Sequence, residues 1–185
     1  MEAALDCAVL VFRERGYHAA SLADLGLAMK LANGSIYKAF SDKRALFLAA
    51  FDRYTARRTK SLQQLLDAKA CGLDRLQAVL AFYAEASSGA EGRHGCLVVG
   101  SAAEMSTYDP EMAGKVTAAL RRVEVRMRDL IQLGQADGSI PASVDAEAVA
   151  TTLLCVLQGL RVVGKVGRSR AALMAAVSQA MRLLA

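Results

Sequence analysis

The stretch SLADLGLAMKLANGSIYKAFSDKRALF, residues 21–47, decides how this chain is read. Ser21 followed by Asp24 is the Ser-x-x-Asp form of a capping box, and Leu22, Leu25 and Met29 follow at helical spacing. A short helix therefore opens at Ser21. After a break near Lys30 and Leu31 a second helix is expected over about 33–40. On a helical wheel Ile36, Ala39 and Phe40 share one side, while Asn33, Gly34, Ser35, Tyr37 and Lys38 share the other. Two turns of helix cannot stand alone, so neighbours must hold the apolar side and leave the polar, aromatic and basic side outward. Ser41 is the expected cap of a long third element carrying Leu46, Phe47, Ala50, Phe51 and Tyr54.

Upstream, Leu5, Val9 and Phe12 recur at helical spacing, and Gly16 with Tyr17 is expected to end that helix. Downstream lie Ala- and Leu-rich helices expected at about 75–87, 97–106, 110–133, 145–163 and 170–184. SSGAEGRHG and ADGSIPASVD read as loops; Asp109 with Pro110 starts the longest of these helices, and Ser143 is the expected cap of the next. Composition agrees: 54% hydrophobic but only 5% aromatic, two prolines and no tryptophan, a balance of good helix formers. The fold class expected is all-α. A three-helix head over 1–45 is joined by a long helix to a larger helical body over 46–185.

Charge is unevenly placed. Residues 1–60 hold ten Lys and Arg against six Asp and Glu, and residues 30–60 alone hold eight against two. Such a cluster is the footprint expected beside a phosphate backbone; the bland alternative is a solvated basic face. Cys7, Cys71, Cys96 and Cys155 form no C-x-x-C pair and read as reduced core residues of a cytoplasmic protein. MEAALDCAVLVF carries Glu2 and Asp6, which makes a poor secretory signal. AVATTLLCVLQGLRVVG is interrupted by Gln158 and Arg161 and falls short of a convincing membrane span, so no membrane association is expected.

Two short helices across a tight turn, the second with a polar outward face, follow the helix-turn-helix plan for entering a DNA major groove. The longer run VFRERGYHAASLADLGLAMKLANGSIYKAFSDKRALF, residues 11–47, resembles the N-terminal DNA-binding region of the TetR family of bacterial transcription regulators. The features that carry the resemblance are Phe12, Gly16, Tyr17, Ser21, then Gly34, Ser35, Ile36 and Tyr37, then Phe40 and Lys43. GCLVVGSAAEMSTYDPEM is similar, less specifically, to a segment of some members. Two positions depart from the family pattern: Lys30 stands where Gly is usual in the turn, and Ala32 where Ser or Thr caps the next helix.

The resemblance implies a cytoplasmic, homodimeric regulator, most simply a repressor, that binds a palindromic operator and responds to a small molecule, with no catalysis and no cofactor or metal. Ser21, Lys30, Asn33, Gly34, Ser35, Tyr37, Lys38 and Lys43 are the expected DNA contacts. Tyr37 is expected on a phosphate through its hydroxyl, and Gly34 allows close approach to the groove. Asn33 has the donor and acceptor that read adenine, or it caps the third helix. Lys43 and Arg44, in the first turn of the long helix, oppose its macrodipole, so folding alone gives no reason for them and a phosphate would.

An effector pocket is expected among Phe82, Tyr83, Glu104, Met105, Tyr108, Met127, Cys155 and Gln158, each of which could equally be ordinary packing; the apolar lining suits a hydrophobic or aromatic molecule. For the dimer, the last two helices carry Val149, Leu153, Val156, Leu157 and Leu160, then Leu173, Val177, Met181 and Leu184, more apolar surface than a peripheral pair needs. They would form a four-helix interface, or else the internal core of one chain. Two rival functions stand beside this reading: a helical enzyme or metabolite-binding protein using Cys96 and His94, and a TetR-like activator. A third catalytic partner for the Cys and His is missing from the sequence pattern.

Overall fold

The computed structural model describes residues 2–184, apart from the side chain of Asn33, and among them contains helices and no strand. The chain forms two compact units, Met1–Thr59 with Cys96–Val116 and Lys60–Gly95 with Thr117–Ala185. The expected division at residue 45 into 1–45 and 46–185 differs from this. The long helix is continuous from Lys43 to Asp67, and a returning segment after Cys96 packs with the head.

The first unit holds α1 (Glu2–Ala19), α2 (Leu22–Met29), α3 (Asn33–Ala39), the first part of α4 (Lys43–Asp67), and, numbered in chain order, α7 (Leu97–Glu104) and the start of α8 (Pro110–Asp137). Its core is Ala8, Phe12, Leu25, Ile36, Leu46, Phe47, Ala50 and Phe51, each at most 2% exposed. Phe47 receives the edges of two aromatic rings, Phe12 at 4.8 Å and Tyr17 at 5.1 Å between centroids. This aromatic cluster joins α1 to α4, and the short α2 and α3 add Leu25 and Ile36 to the same core. Ala39 is exposed and Phe40 half-buried. The apolar side expected for α3 is therefore narrower than the wheel suggested, and Ile36 carries it.

Two expected caps move. Asp42, not Ser41, caps α4: its Oδ1 accepts the Ala45 N–H at 2.7 Å. Asp145, not Ser143, caps α9 (Ala146–Lys165), accepting from Glu147 and Ala148 at 3.1 Å each. In both places a carboxylate nearer the helix competes better for the free N–H groups than the neighbouring serine. The Ser21–Asp24 capping box forms as expected, and α8 begins at Pro110 as expected, with Asp109 Oδ1 accepting the Met112 N–H at 3.0 Å.

The second unit contains the rest of α4 and α8, α5 (Gly72–Glu85), α6 (Gly89–His94), α9, α10 (Arg170–Met181) and a closing 3-10 turn, Arg182–Leu184. α6 falls inside SSGAEGRHG, expected as a loop. Its glycines hide the pattern, yet one has a packing reason: a Cβ on Gly92 would lie 2.1 Å from the Ser87 carbonyl oxygen, and so would one on Gly164 of α9. Two glycines let α6 and α9 close on the same carbonyl.

The unit's core gathers Leu62, Leu76, Val79, Met127 and Ile131 with Leu153, Leu157, Leu160, Leu173, Val177 and Leu184. The last six were expected at a dimer interface. They are at most 4% exposed within a single chain, so that assignment is corrected: the strongest apolar face of an amphipathic helix goes to its own core first. Val149, Val156 and Met181 are half-buried against the same core. α9 is long and apolar enough, by length and composition, to cross a membrane, but its Ala150, Leu153, Leu157 and Leu160 are committed to this core. The expectation that the cysteines are core residues holds for none fully. Cys7 and Cys155 are exposed, Cys71 and Cys96 half-buried, and all four are free thiols.

Candidate nucleic-acid interface

α2 and α3 are joined by a turn that depends on one residue. Lys30 adopts φ 55°, ψ 41°, the sole left-handed non-glycine residue among those described. This lets the Lys30 N–H reach the Leu27 carbonyl at 3.3 Å and the Leu31 N–H reach the Gly26 carbonyl at 3.0 Å, closing α2. The turn geometry survives the loss of the usual glycine, at a cost of about 1–2 kcal/mol for a residue with a Cβ. Ala32 holds the cap position just before α3, its carbonyl accepting from Ser35 and Ile36 at 2.9 and 3.2 Å, with no side-chain cap. Asn33 is the first helical residue, so the backbone does not place it at the cap; its side chain lies outside the described residues.

With Ile36 buried, α3 leaves Gly34, Ser35, Tyr37 and Lys38 exposed. A Cβ on Gly34 would meet nothing within 4 Å, so internal packing does not explain that glycine. Tyr37 is 51% exposed, and its hydroxyl makes no hydrogen bond among the described residues. Leu27, on the outward side of α2, is 84% exposed. Sequence reasoning passed over it, although its place two residues after the buried Leu25 is signal enough.

Two of the other expected contacts are occupied. Ser21 Oγ accepts the Asp24 N–H at 3.1 Å and donates to Asp24 Oδ2 at 2.7 Å. Lys43 Nζ donates to the carbonyls of Tyr17, Ala20 and His18 at 2.9, 3.1 and 3.4 Å and sits 4.6 Å from the centroid of the Tyr17 ring. Arg44 pairs with Asp109 through Nε and Nη2, at 2.7 and 2.9 Å, and with Glu111 at 2.8 Å. The expectation that folding gives no reason for Lys43 and Arg44 is therefore corrected: one caps the end of α1, where carbonyls point out, and the other anchors the start of α8.

Arg53 makes a two-point pair with Asp6 at 2.6 and 2.7 Å, and Arg57 joins it at 2.7 Å. Much of the basic cluster is thus neutralised inside the unit, leaving Lys30 and Lys38 as exposed cations beside α3. The Arg44 guanidinium lowers the Asp109 carboxyl to about 2, and Arg53 lowers Asp6 to about 2.

The residues expected to line an effector pocket separate into two groups. Glu104, Met105 and Tyr108 belong to the first unit, where Glu104 Oε2 accepts the Tyr17 N–H at 2.8 Å and the Tyr108 hydroxyl meets His18 Nε2. Phe82, Tyr83, Met127, Cys155 and Gln158 belong to the second. There Phe82 and Tyr83 pack edge to face, Met127 is fully buried, and the Arg161 guanidinium lies 5.3 Å from the Tyr83 centroid. Arg161 itself, 3% exposed with Nη1 donating to the Ala86 carbonyl at 2.6 Å, was read only as an interruption of an apolar run. Cys96 receives the Tyr54 hydroxyl at 3.6 Å. Cys96 and His94 fall in different units, and no group of three or more His, Cys, Asp or Glu is placed to hold a metal among the described residues.

A capped helix, a left-handed turn and a second helix with an unburied polar face define a helix-turn-helix head of the DNA-binding class. Residues 4–50 match the family model described as bacterial regulatory proteins, tetR family, and residues 72–180 match the one described as tetracyclin repressor-like, C-terminal domain. The chain belongs to the TetR family and is a transcription regulator. The HTH-type transcriptional repressor ComR of Escherichia coli is 29% identical over 187 residues, covering 98% of this chain and 87% of ComR. Among solved structures, a cysteine variant of the TetR family regulator CifR bound to 26-base-pair operator DNA is 31% identical, with a TM-score of 0.87 over 98% of this chain and 95% of that one. A second CifR cysteine variant on operator DNA is 30% identical, with a TM-score of 0.89 over 100% and 96%.

Proposed function

We propose that the protein is a cytoplasmic, homodimeric repressor that binds a palindromic operator and is released from it by a small hydrophobic or aromatic effector, without a catalytic step. The observation that carries this reading is the outward side of α3: Gly34, Ser35, Tyr37 and Lys38 are exposed, and Gly34 leaves open space where a groove wall could come close. ComR is named as a repressor, and the CifR structures contain operator DNA, which supports the same role here. Tyr37 and Lys30 contact phosphates, Ser35 and Lys38 face backbone or base edges, and Asn33 reads a base from the first turn of α3. Ser21 and Lys43, whose polar atoms are engaged inside the head, set the angle of α2 and α3.

Dimerisation uses the opposite faces of the last two helices from those buried in the core. On α9, Thr152, Cys155, Gly159 and Val162 are exposed at helical spacing, with Val163 and Val166 beyond them, and a Cβ on Gly159 would meet nothing within 4 Å. Beside them a hollow of about 630 Å³ is lined by Val163, Val166, Ala172 and Ala176. Small residues let a second pair of helices approach closely, and exposed valines supply the burial. Two such heads on a two-fold axis match an inverted-repeat operator.

For the effector we favour the second unit, whose Phe82 and Tyr83 pack edge to face and whose Met127 belongs to the same core. An effector that binds one conformation of the dimer more tightly shifts the population away from the operator-bound state by its difference in affinity. The test is a gel shift with the DNA upstream of the protein's own gene, wild type against Tyr37→Phe. Loss of only a hydroxyl is expected to weaken binding across sequences with thermal stability unchanged. Intact binding by a destabilised variant would make Tyr37 a structural residue and remove the reading's main support.

A further inference from the structure

The run RRVEVRMR, residues 121–128, reads from sequence as a solvated helix face. In the structure two of its arginines line a groove of about 450 Å³ on the second unit, formed by the end of α4, the start of α5 and the middle of α8. Arg122 and Arg126 stand one turn apart on α8, and Arg75 of α5 joins them. Two of the three are held in place: Arg126 Nη1 donates to Gln63 Oε1 at 3.0 Å, and Arg75 Nε donates to the Lys69 carbonyl at 3.1 Å. Each of those guanidiniums keeps further N–H donors beyond that bond. The one carboxylate in the lining, Asp129, is taken by Arg128 at 3.0 Å, so it does little to offset the three cations. The floor is apolar, with Leu66 and Leu130 at 4% and 8% exposure and Leu133 at 38%.

We infer that this groove binds a small amphiphilic anion, its oxyanion head on Arg75, Arg122 and Arg126 and its short apolar tail along Leu66, Leu130 and Leu133. Positioned guanidinium forks match the paired oxygens of carboxylates and phosphates, and the head-and-floor arrangement needs both parts of the ligand together. None of the residues proposed for the effector lines the groove, so the inference does not rest on that site.

The test titrates the full-length protein with octanoate and with octyl phosphate, with acetate and octanol as controls, following the arginine Nε–H resonances by NMR. Saturable binding of at least one of the two octyl anions is expected, with Arg75 and Arg126 resonances moving and both controls silent; which anion binds identifies the head. The double variant Arg122→Gln, Arg126→Gln is expected to weaken that binding about tenfold or more, because charge-assisted hydrogen bonds are lost, while its melting temperature stays that of the wild type. Failure of both octyl anions to bind, octanol binding equally well, or unchanged affinity in the double variant would each overturn the inference. So would a double variant that loses affinity for DNA but not for the amphiphile, which would make the groove a nucleic-acid surface.

Discussion

Glu104 fills the space that a side chain on Gly16 would need. A Cβ built at Gly16 would lie 2.1 Å from Glu104 Oε1, while Glu104 Oε2 holds the Tyr17 N–H at 2.8 Å. Gly16 has φ 79° and ψ 176°, a conformation open essentially to glycine alone, and it kinks α1 so that residues 17–19 form a separate last turn. Gly16→Ala is expected to cost about 1–3 kcal/mol of stability from backbone strain. Adding Glu104→Ala removes the clash and leaves the strain, so calorimetry on the double variant should recover little. Full recovery would show that crowding, not backbone geometry, fixes the glycine.

Lys43 gives the clearest reversal of a sequence expectation. Its ammonium spends its three donors on the carbonyls that end α1. Lys43→Gln is therefore expected to lower stability by about 1–2 kcal/mol and to leave the salt dependence of operator binding unchanged. A salt slope lower by about 1 per site with unchanged stability would restore a phosphate contact.

Lys30 should behave in the opposite way. Replacing it with glycine relieves the left-handed strain at φ 55°, so Lys30→Gly is expected to raise stability by about 1 kcal/mol. If its ammonium meets a phosphate, the same change weakens DNA binding at every sequence and reduces the salt slope. Denaturant unfolding and binding at several salt concentrations, done on one preparation, separate the two effects.

The dimer is tested on the exposed side of α9. Val162→Glu, at a residue 54% exposed in one chain, is expected to leave each chain folded and give monomers in sedimentation. Leu157→Glu places a charge in the chain's own core and is expected to unfold the second unit, a cost well above 4 kcal/mol. A Val162→Glu protein that sediments as a stable dimer would rule out this face.

Acid should loosen the first unit through its carboxylates. Arg44 and Arg53 hold Asp109 and Asp6 at about 2, below the ordinary 3.8. A lowered folded value means the ionised pair stabilises the fold above pH 4, and this contribution is lost as pH falls from about 4 towards 2. Asp109→Asn is expected to be less stable at pH 7 and to show a shallower loss over that window, measured by urea unfolding at each pH.

Local chemistry determined the head by sequence alone. The Ser21–Asp24 capping box, the spacing of Leu25, Met29 and Ile36, and the start of α8 at Asp109 and Pro110 are short-range relationships, and all of them stand in the structure. The all-α class followed from the same local signals repeated along the chain. What sequence could not settle was which partner each long-range group meets. Lys43, Arg44 and Arg53 carry the same charge on paper as Lys38, yet these three are tied to groups up to 67 residues away, Arg44 to Glu111 being the longest. Likewise, periodicity marks Leu157 as facing something apolar and is silent on whether that is its own chain or another. Hydrophobic burial and charge pairing depend on proximity in space, which only the packed tertiary structure decides.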